Sequence, residues 1–130
     1  MILVDTSVWV DHLRSGEKAL VDLLNEGLVL THPLIIEELA CGNLSRRKEI
    51  LDLFSALPMA PAASHDEILK FIAAERLFGT GLGAVDIHLM ASARLARRKI
   101  WSRDKALCRA AKRLNLLSVR PRPIRRHPAP

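Results

Sequence analysis

Apolar residues follow two different periods along this chain of 130 residues, and the two alternate. Short continuous apolar runs, of which Ile2 to Val4 is the first, are typical of strands that are buried on both faces of a sheet. Between them, apolar residues recur three and four positions apart, which is the period of an amphipathic helix. Strands that alternate with helices predict an α/β domain on a mainly parallel sheet.

The predicted elements follow one another from end to end of the domain. Strands are predicted at residues 2–4, 28–30, 100–102 and 116–119, and the connection 57–63 has room for a short edge strand. Helices are predicted at residues 8–13, 17–26, 34–41, 46–54, 64–77, 84–98 and 104–114. Thr6 and Ser7 are candidate caps for the first helix, Ser45 is one for the fourth, and Ser64 with Glu67 has the spacing of a capping box.

One domain and a tail account for the chain. Residues 1–119 are long enough to bury a hydrophobic core. The apolar content of the whole chain, 49%, is sufficient to form one. Residues 120–130, which read RPRPIRRHPAP, contain too much Pro and Arg to form a packed element. The sequence predicts a single domain followed by a basic tail.

The search for targeting signals and the two cysteines both bear on the cellular compartment. No apolar run approaches the ~20 residues that a membrane-spanning helix needs, and we find no secretory signal before the first strand. Cys41 and Cys108 are expected to be free, buried thiols in a reducing environment. We therefore expect a cytoplasmic protein without membrane association.

Charge is distributed unevenly along the chain. Residues 94–130 hold thirteen of the twenty Lys and Arg but one acid, Asp104, whereas residues 1–93 hold seven bases and thirteen acids. A basic third on a compact domain is typical of proteins that bind polyanions such as nucleic acids. The alternative is a solvated face that only aids solubility.

Four carboxylates occupy positions that favour chemistry, and three of them also have an ordinary structural interpretation. Asp5 and Asp104 each follow a strand and precede a helix, and at Asp104 the acid can also serve simply as an N-cap. Asp86 lies in the first turn of its helix, where it would complement the helix dipole. Glu38 shares a helix face with Leu34 and Ile35, or else reaches solvent at the edge of that helix.

Carboxylates brought close together repel one another and need a counter-charge. Mg²⁺ or Mn²⁺, which take oxygen ligands, supply it and can activate water at a phosphodiester. An acidic metal site beside a basic surface therefore indicates a nuclease.

Four motifs in order, ILVDTSVW, IIEELACG, GAVDIHLMAS and IWSRDKAL, resemble those of the PIN-domain ribonucleases, specifically the VapC-type toxins of bacterial toxin–antitoxin pairs. The resemblance covers residues 1–119. It implies a PIN-like three-layer α/β/α sandwich around a parallel sheet. It also implies a Mg²⁺- or Mn²⁺-dependent endoribonuclease that forms a homodimer and is inhibited by a VapB-type antitoxin.

The resemblance also implies the site residues. The catalytic acids fall on Asp5, Glu38, Asp86 and Asp104, of which Asp5, Asp86 and Asp104 would hold the metal and Glu38 would orient water or a second ion. Glu38 is preferred over the adjacent Glu37 because it directly precedes Leu39 and lies four residues before a glycine. Ser7 matches a hydroxyl position near the metal.

Two other functions stay open at this point. The first is a PIN scaffold that binds RNA or a protein partner without cleaving. The second is a phosphomonoesterase with Asp5 as nucleophile, which is disfavoured because that chemistry commonly needs a second acid where Ser7 stands. The glycine-rich stretch 78–83 has neither the dinucleotide-binding spacing nor a P-loop Lys, so we interpret it as a mobile loop.

Overall fold

Three parallel strands form the centre of the molecule, for which a computed structural model describes residues 1–118. The strands are β1 (Ile2–Val4), β2 (Val29–Leu30) and β3 (Lys99–Trp101), in the order β2-β1-β3. In the register, Leu3 lies opposite Leu30 on one side and Ile100 on the other. The parallel sheet predicted from the short apolar runs is confirmed.

Each edge of this sheet is extended by an isolated parallel bridge. Thr31 pairs with Met59 beyond β2, and Ile100 pairs with Leu117 beyond β3. The short edge strand predicted within residues 57–63 is therefore present as a single bridge. The predicted final strand is also reduced to one bridge at Leu117, and its last residue, Val119, lies outside the described residues, as does the predicted tail 120–130.

Seven helices are found within residues 1–118. They are α1 (Thr6–Ser15), α2 (Lys18–Asn25), α3 (Pro33–Ala40), α4 (Arg47–Ser55), α5 (His65–Ala74), α6 (Ala84–Ala96) and α7 (Lys105–Arg113). Every predicted helix is present, with ends that differ by a few residues. The capping box of Ser64 and Glu67 at the start of α5 is confirmed.

Two predicted caps were wrong. The side chain that caps α1 belongs to Asp5 rather than to Thr6 or Ser7. The residue that precedes α4 is Arg46, in a left-handed conformation and without a side-chain cap, so Ser45 lies one position too early. Since the guanidinium of Arg47 donates to the carbonyl of Ala40 at 2.6 Å, the end of α3 contributes to fixing this turn.

The helices cover both faces of the sheet. Leu3 and Val4 point to opposite faces because side chains alternate along a strand, and both are fully buried. Trp9 of α1 packs edge-on against Phe54 of α4, with ring centroids 4.4 Å apart. This burial shows that helices cover both faces of the sheet, which confirms the predicted α/β domain.

Two expectations about the cysteines have different outcomes. Cys41 and Cys108 are both free, as predicted, but Cys41 is exposed and Cys108 is only partly buried.

Within residues 1–118, no helix combines the length and the apolar character needed to cross a membrane.

The parallel arrangement decides where the polar residues meet. The carboxyl ends of β1 and β3 lie side by side, because Val4 is the register partner of Trp101. Asp5 follows the first of these strands and Asp104 follows the second after two residues. Ligands of open α/β sheets bind outside such strand ends.

Candidate active site

Asp5 lies at the centre of this edge and is only 5% exposed. Its Oδ2 accepts hydrogen bonds from the hydroxyls of Ser7, at 2.7 Å, and Ser102, at 2.8 Å. The same oxygen caps α1 through the backbone N–H of Ser7 at 3.4 Å. No hydrogen bond from residues 1–118 reaches the other oxygen, which is therefore available to a cation.

Ser102 links the ends of β1 and β3. Its hydroxyl donates to Asp5 and accepts from the backbone N–H of Asp104 at 3.0 Å. The backbone N–H of Arg103 donates in turn to the hydroxyl of Ser7 at 2.9 Å. Two hydroxyls and two backbone N–H groups thus hold the segment after β3 against the start of α1.

Asp104 is the N-cap of α7, which confirms its structural interpretation. Its Oδ2 accepts from the backbone N–H of Leu107 at 2.9 Å. The side chain is part of an exposed residue, and capping uses one of its two oxygens. Capping therefore leaves the second oxygen available to a ligand.

Glu38 lies on α3 and is exposed, as its structural interpretation expected. Its Oε1 also accepts a hydrogen bond of 2.7 Å from the hydroxyl of Thr6, the first residue of α1. This bond brings the side chain from α3 to the start of α1, next to Asp5. The sequence predicts Thr6 only as a possible cap and Glu38 only as a site residue, and it contains no signal for the bond between them across 32 residues.

Asp86 lies within electrostatic range of the other three carboxylates. Burial, followed by the negative charges of Asp5, Asp104 and Glu38 in that order, raises its pKa from the ordinary 3.8 to about 6. A hydrogen bond from the backbone N–H of Gly83 acts in the opposite direction and lowers the pKa. The charges of three acids from three separate elements therefore reach the fourth.

The donor set fits a hard divalent cation. Carboxylate oxygens are the ligands that Mg²⁺ and Mn²⁺ prefer, and a cation would relieve the repulsion that raises the pKa of Asp86. Among the His, Cys, Asp and Glu side chains of residues 1–118, however, no three are close enough to form a preformed metal cluster. The acids are gathered at one edge without being in tight mutual contact.

Arg103 lies between two residues of the site and attaches their segment to neighbouring helices, a role that was not predicted. Its guanidinium donates to Asp11 at 2.6 Å and also to Glu17, and it lies over the ring of Trp101. These contacts join the segment after β3 to α1 and to the residue before α2. The one sequence signal was its position between Ser102 and Asp104.

Comparison with known proteins agrees with the geometry. Residues 2–113 match the model of the PIN domain. The chain belongs to the PIN-domain family. It is 48% identical over 108 residues to ribonuclease VapC32 of Mycobacterium tuberculosis, matched in two strains, across 82% of this chain and 87% of the relative. The predicted resemblance to the VapC-type PIN proteins is confirmed.

Proposed function

We propose that this VapC-type PIN protein hydrolyses RNA phosphodiesters at the site formed by Asp5, Glu38, Asp86 and Asp104, with Mg²⁺ or Mn²⁺ bound there. The observation that carries the proposal is that Asp5 and Asp104 follow neighbouring parallel strands and are linked by Ser102. The raised pKa of Asp86 agrees with it, because the charges of Asp5, Asp104 and Glu38 contribute to the shift after burial. The name of the relative, ribonuclease VapC32, supports RNA as the substrate. PIN-domain nucleases of this type depend in general on a divalent metal ion.

Asp5, Asp86 and Asp104 would hold the metal ion, which when bound supplies an activated water and stabilises the charge that develops on the phosphate. Ser7 and Ser102 hold the carboxylate of Asp5 by donating to one oxygen, so that the other faces the site. The α7 cap likewise fixes Asp104 through one oxygen.

Glu38 has a different part in the proposal. Its Oε1 is held by the hydroxyl of Thr6, and no hydrogen bond within residues 1–118 uses Oε2. That oxygen is free to accept a hydrogen bond from the attacking water and to orient it toward the phosphorus. Thr6 therefore positions Glu38 for this task.

The proposal is tested by cleavage of a structured RNA pool with Mg²⁺, with Mn²⁺ and with EDTA, using the wild type and Asp5→Asn. We expect metal-dependent cleavage by the wild type and a loss of about a hundredfold or more in the variant, because the charge that binds the metal is removed. The amide keeps an oxygen that can cap α1, so circular dichroism should show an intact fold.

Asp52→Asn on the exposed face of α4 is the matched control and should cleave like the wild type. Full activity of Asp5→Asn would overturn the assignment of the site. Folded wild type that binds manganese and RNA without cleaving would replace the proposed enzyme by a PIN scaffold that only binds.

The proposed partners follow from membership in the VapC group. We propose a cognate VapB-type antitoxin that blocks the site, a homodimer, and action in the cytoplasm. An apolar groove among α1, α2 and α4 supports a protein partner, since Leu13 and Leu53 there are 40% and 64% exposed.

Light scattering on the purified chain, alone and co-expressed with the adjacent gene product, tests the assembly. A monomer at all concentrations would contradict the dimer.

A further inference from the structure

Helix α7 has an unusual charge distribution. It reads KALCRAAKR and contains Lys105, Arg109, Lys112 and Arg113 with no acidic residue. Leu107, Ala110 and Ala111 are buried against the core, so all four cations lie on the exposed side. The helix therefore presents a uniformly positive surface that starts one residue after Asp104.

Three of these cations have no partner. Within residues 1–118, Lys105, Arg109 and Lys112 form no ion pair or side-chain hydrogen bond, whereas Arg94 and Arg103 both pair with acids. Like charges four positions apart on a helix, such as Lys105 and Arg109, repel each other and lower the stability of the helix. This surface therefore lacks the acidic partners that Arg94 and Arg103 have.

A groove runs beside this positive surface. It has a volume of about 340 Å³ and lies between α7 and the glycine-rich loop 78–83. The residues that line it are Thr80, Leu82, Ala106, Arg109, Ala110 and Arg113. Small and apolar side chains form much of the lining, and two guanidinium-bearing residues form the α7 side.

Each wall of the groove is close in sequence to an acid of the candidate active site. The glycine-rich loop continues directly into the first turn of α6, so Leu82 is four residues before Asp86. On the other wall, Ala106 is two residues after Asp104. Each wall of the groove is therefore within four residues of an acid of the candidate active site.

We propose that this groove, together with the exposed face of α7 beside it, binds the phosphate backbone of the RNA strand on one side of the scissile phosphate. The phosphate ligands are Arg109, which lines the groove, and Lys105, which lies one turn earlier on α7 and outside the lining. The inference rests on the proposed function and deepens it. Four carboxylates repel a polyanion, so a strand that reaches them needs cations nearby. Lys105 and Arg109 are separated by about 6 Å of helix rise, which lets them serve successive phosphates of an extended strand.

The test measures binding of a short fluorescein-labelled single-stranded RNA by anisotropy at several KCl concentrations. All variants carry Asp5→Asn to prevent cleavage, and all are the full chain. Each phosphate contact on a single strand contributes about 0.7 to the slope of log K against log salt. We expect Arg109→Gln to lower that slope by about 0.7 and Lys105→Gln with Arg109→Gln by roughly 1.4.

Two variants serve as controls. Arg97→Gln removes an equally exposed arginine at the far end of α6, away from Asp86, and should leave the slope unchanged. Arg109→Lys keeps the charge and should keep the slope. Equal effects of Arg97→Gln and Arg109→Gln, or none from either, would overturn the proposed groove.

The RNA-binding test can fail or succeed independently of the test for RNA cleavage. If the wild type cleaves RNA while Arg109→Gln keeps the full salt slope, the groove is wrong and the ribonuclease assignment stands. If the slope falls as expected but the wild type never cleaves with a metal ion present, the groove binds RNA and the proposed hydrolysis is wrong.

Discussion

Asp5 combines two roles that are usually assigned to different residues. Its Oδ2 accepts from the hydroxyls of Ser7 and Ser102 and caps α1, while the other oxygen has no protein donor within residues 1–118. A buried carboxylate is costly unless its oxygens are satisfied. The structural bonds therefore fix one oxygen and leave the second to the proposed metal ion.

The hydroxyl of Ser102 connects Asp5 with the backbone N–H of Asp104. We expect Ser102→Ala to weaken Mn²⁺ binding by about tenfold, because hydrogen bonds that orient metal ligands have effects of this size. The unfolding free energy should fall by about 1–3 kcal/mol, since buried partners lose a hydrogen bond.

Calorimetric titration with Mn²⁺ and urea denaturation measure the two effects. Ser102→Thr keeps the hydroxyl and is the matched control, so its metal affinity should remain close to that of the wild type. Wild-type affinity in Ser102→Ala would show that Asp5 needs no such support.

Asp86 should make the metal-free protein sensitive to pH. Its pKa is raised by burial and by the other acids from an ordinary 3.8 to about 6, so the folded state disfavours its ionisation. Stability should therefore fall as the pH rises through this window and level off above it. Urea denaturation of wild type and Asp86→Asn, in steps from about pH 4 to about pH 7, isolates this contribution.

Metal binding should show the opposite dependence. Protons compete with the cation at Asp86, so Mn²⁺ affinity should weaken as the pH falls below about 6. Calorimetry in buffers of different ionisation enthalpy would detect the released proton. A pH-independent affinity would contradict the role of Asp86 as a ligand.

At the scale of elements, the fold uses one arrangement twice. Strands β1 and β3 are each followed by an acid that caps the next helix, Asp5 for α1 and Asp104 for α7. Because the two strands are parallel neighbours, the two caps lie at the same edge of the sheet. The loop between β3 and α7 is then held to α1 by Arg103.

Arg103 should act as a positioning residue. We expect Arg103→Gln to lower kcat several-fold with little change in KM, because the Ser102–Asp104 segment loses its attachment to Asp11 and Glu17. The loss of stability should stay below about 1 kcal/mol, since these pairs are partly exposed.

Steady-state cleavage of a defined RNA separates the two kinetic constants. Asp11→Asn should reproduce part of the effect, and the double variant should show less than the sum because the two side chains share one contact. A change confined to KM would contradict positioning and indicate that Arg103 contacts RNA.

At the scale of the whole molecule, opposite charges are separated along the chain. Three of the four acids precede residue 94, whereas residues 94–130 hold thirteen of the twenty Lys and Arg with Asp104 as their one acid. This distribution allows the proposed acidic metal site and a basic surface for a polyanion to lie side by side in one small domain.

The tail 120–130 lies outside the described residues. Its sequence predicts that it adds non-specific RNA affinity or contacts a partner, through Arg120, Arg122, Arg125 and Arg126. Deleting it should reduce the salt slope of RNA binding by up to about 0.7 for each arginine that contacts a phosphate. Anisotropy titrations of the full and shortened chains measure this. An unchanged slope would contradict a role of the tail in RNA binding.

The sequence alone determined the elements and the types of residues at the site. Apolar runs such as Ile2 to Val4 can be interpreted as buried strands because burial on both faces excludes polar residues, and β1 confirms this. Asp5 and Asp104 could be placed at strand ends because each directly follows or closely follows a short apolar run, which is a local property of the sequence. Four ordered motifs were then enough to predict the PIN family.

Only the tertiary structure decided which side chains meet. Hydrophobic periodicity contains no information on strand order, so the adjacency of β1 and β3, and with it the Asp5–Ser102 bond, depends on packing between distant segments. The Thr6–Glu38 bond and the contacts of Arg103 have the same origin. The raised pKa of Asp86 likewise exists only after folding, because desolvation and the approach of three other charges are properties of the assembled edge of the sheet.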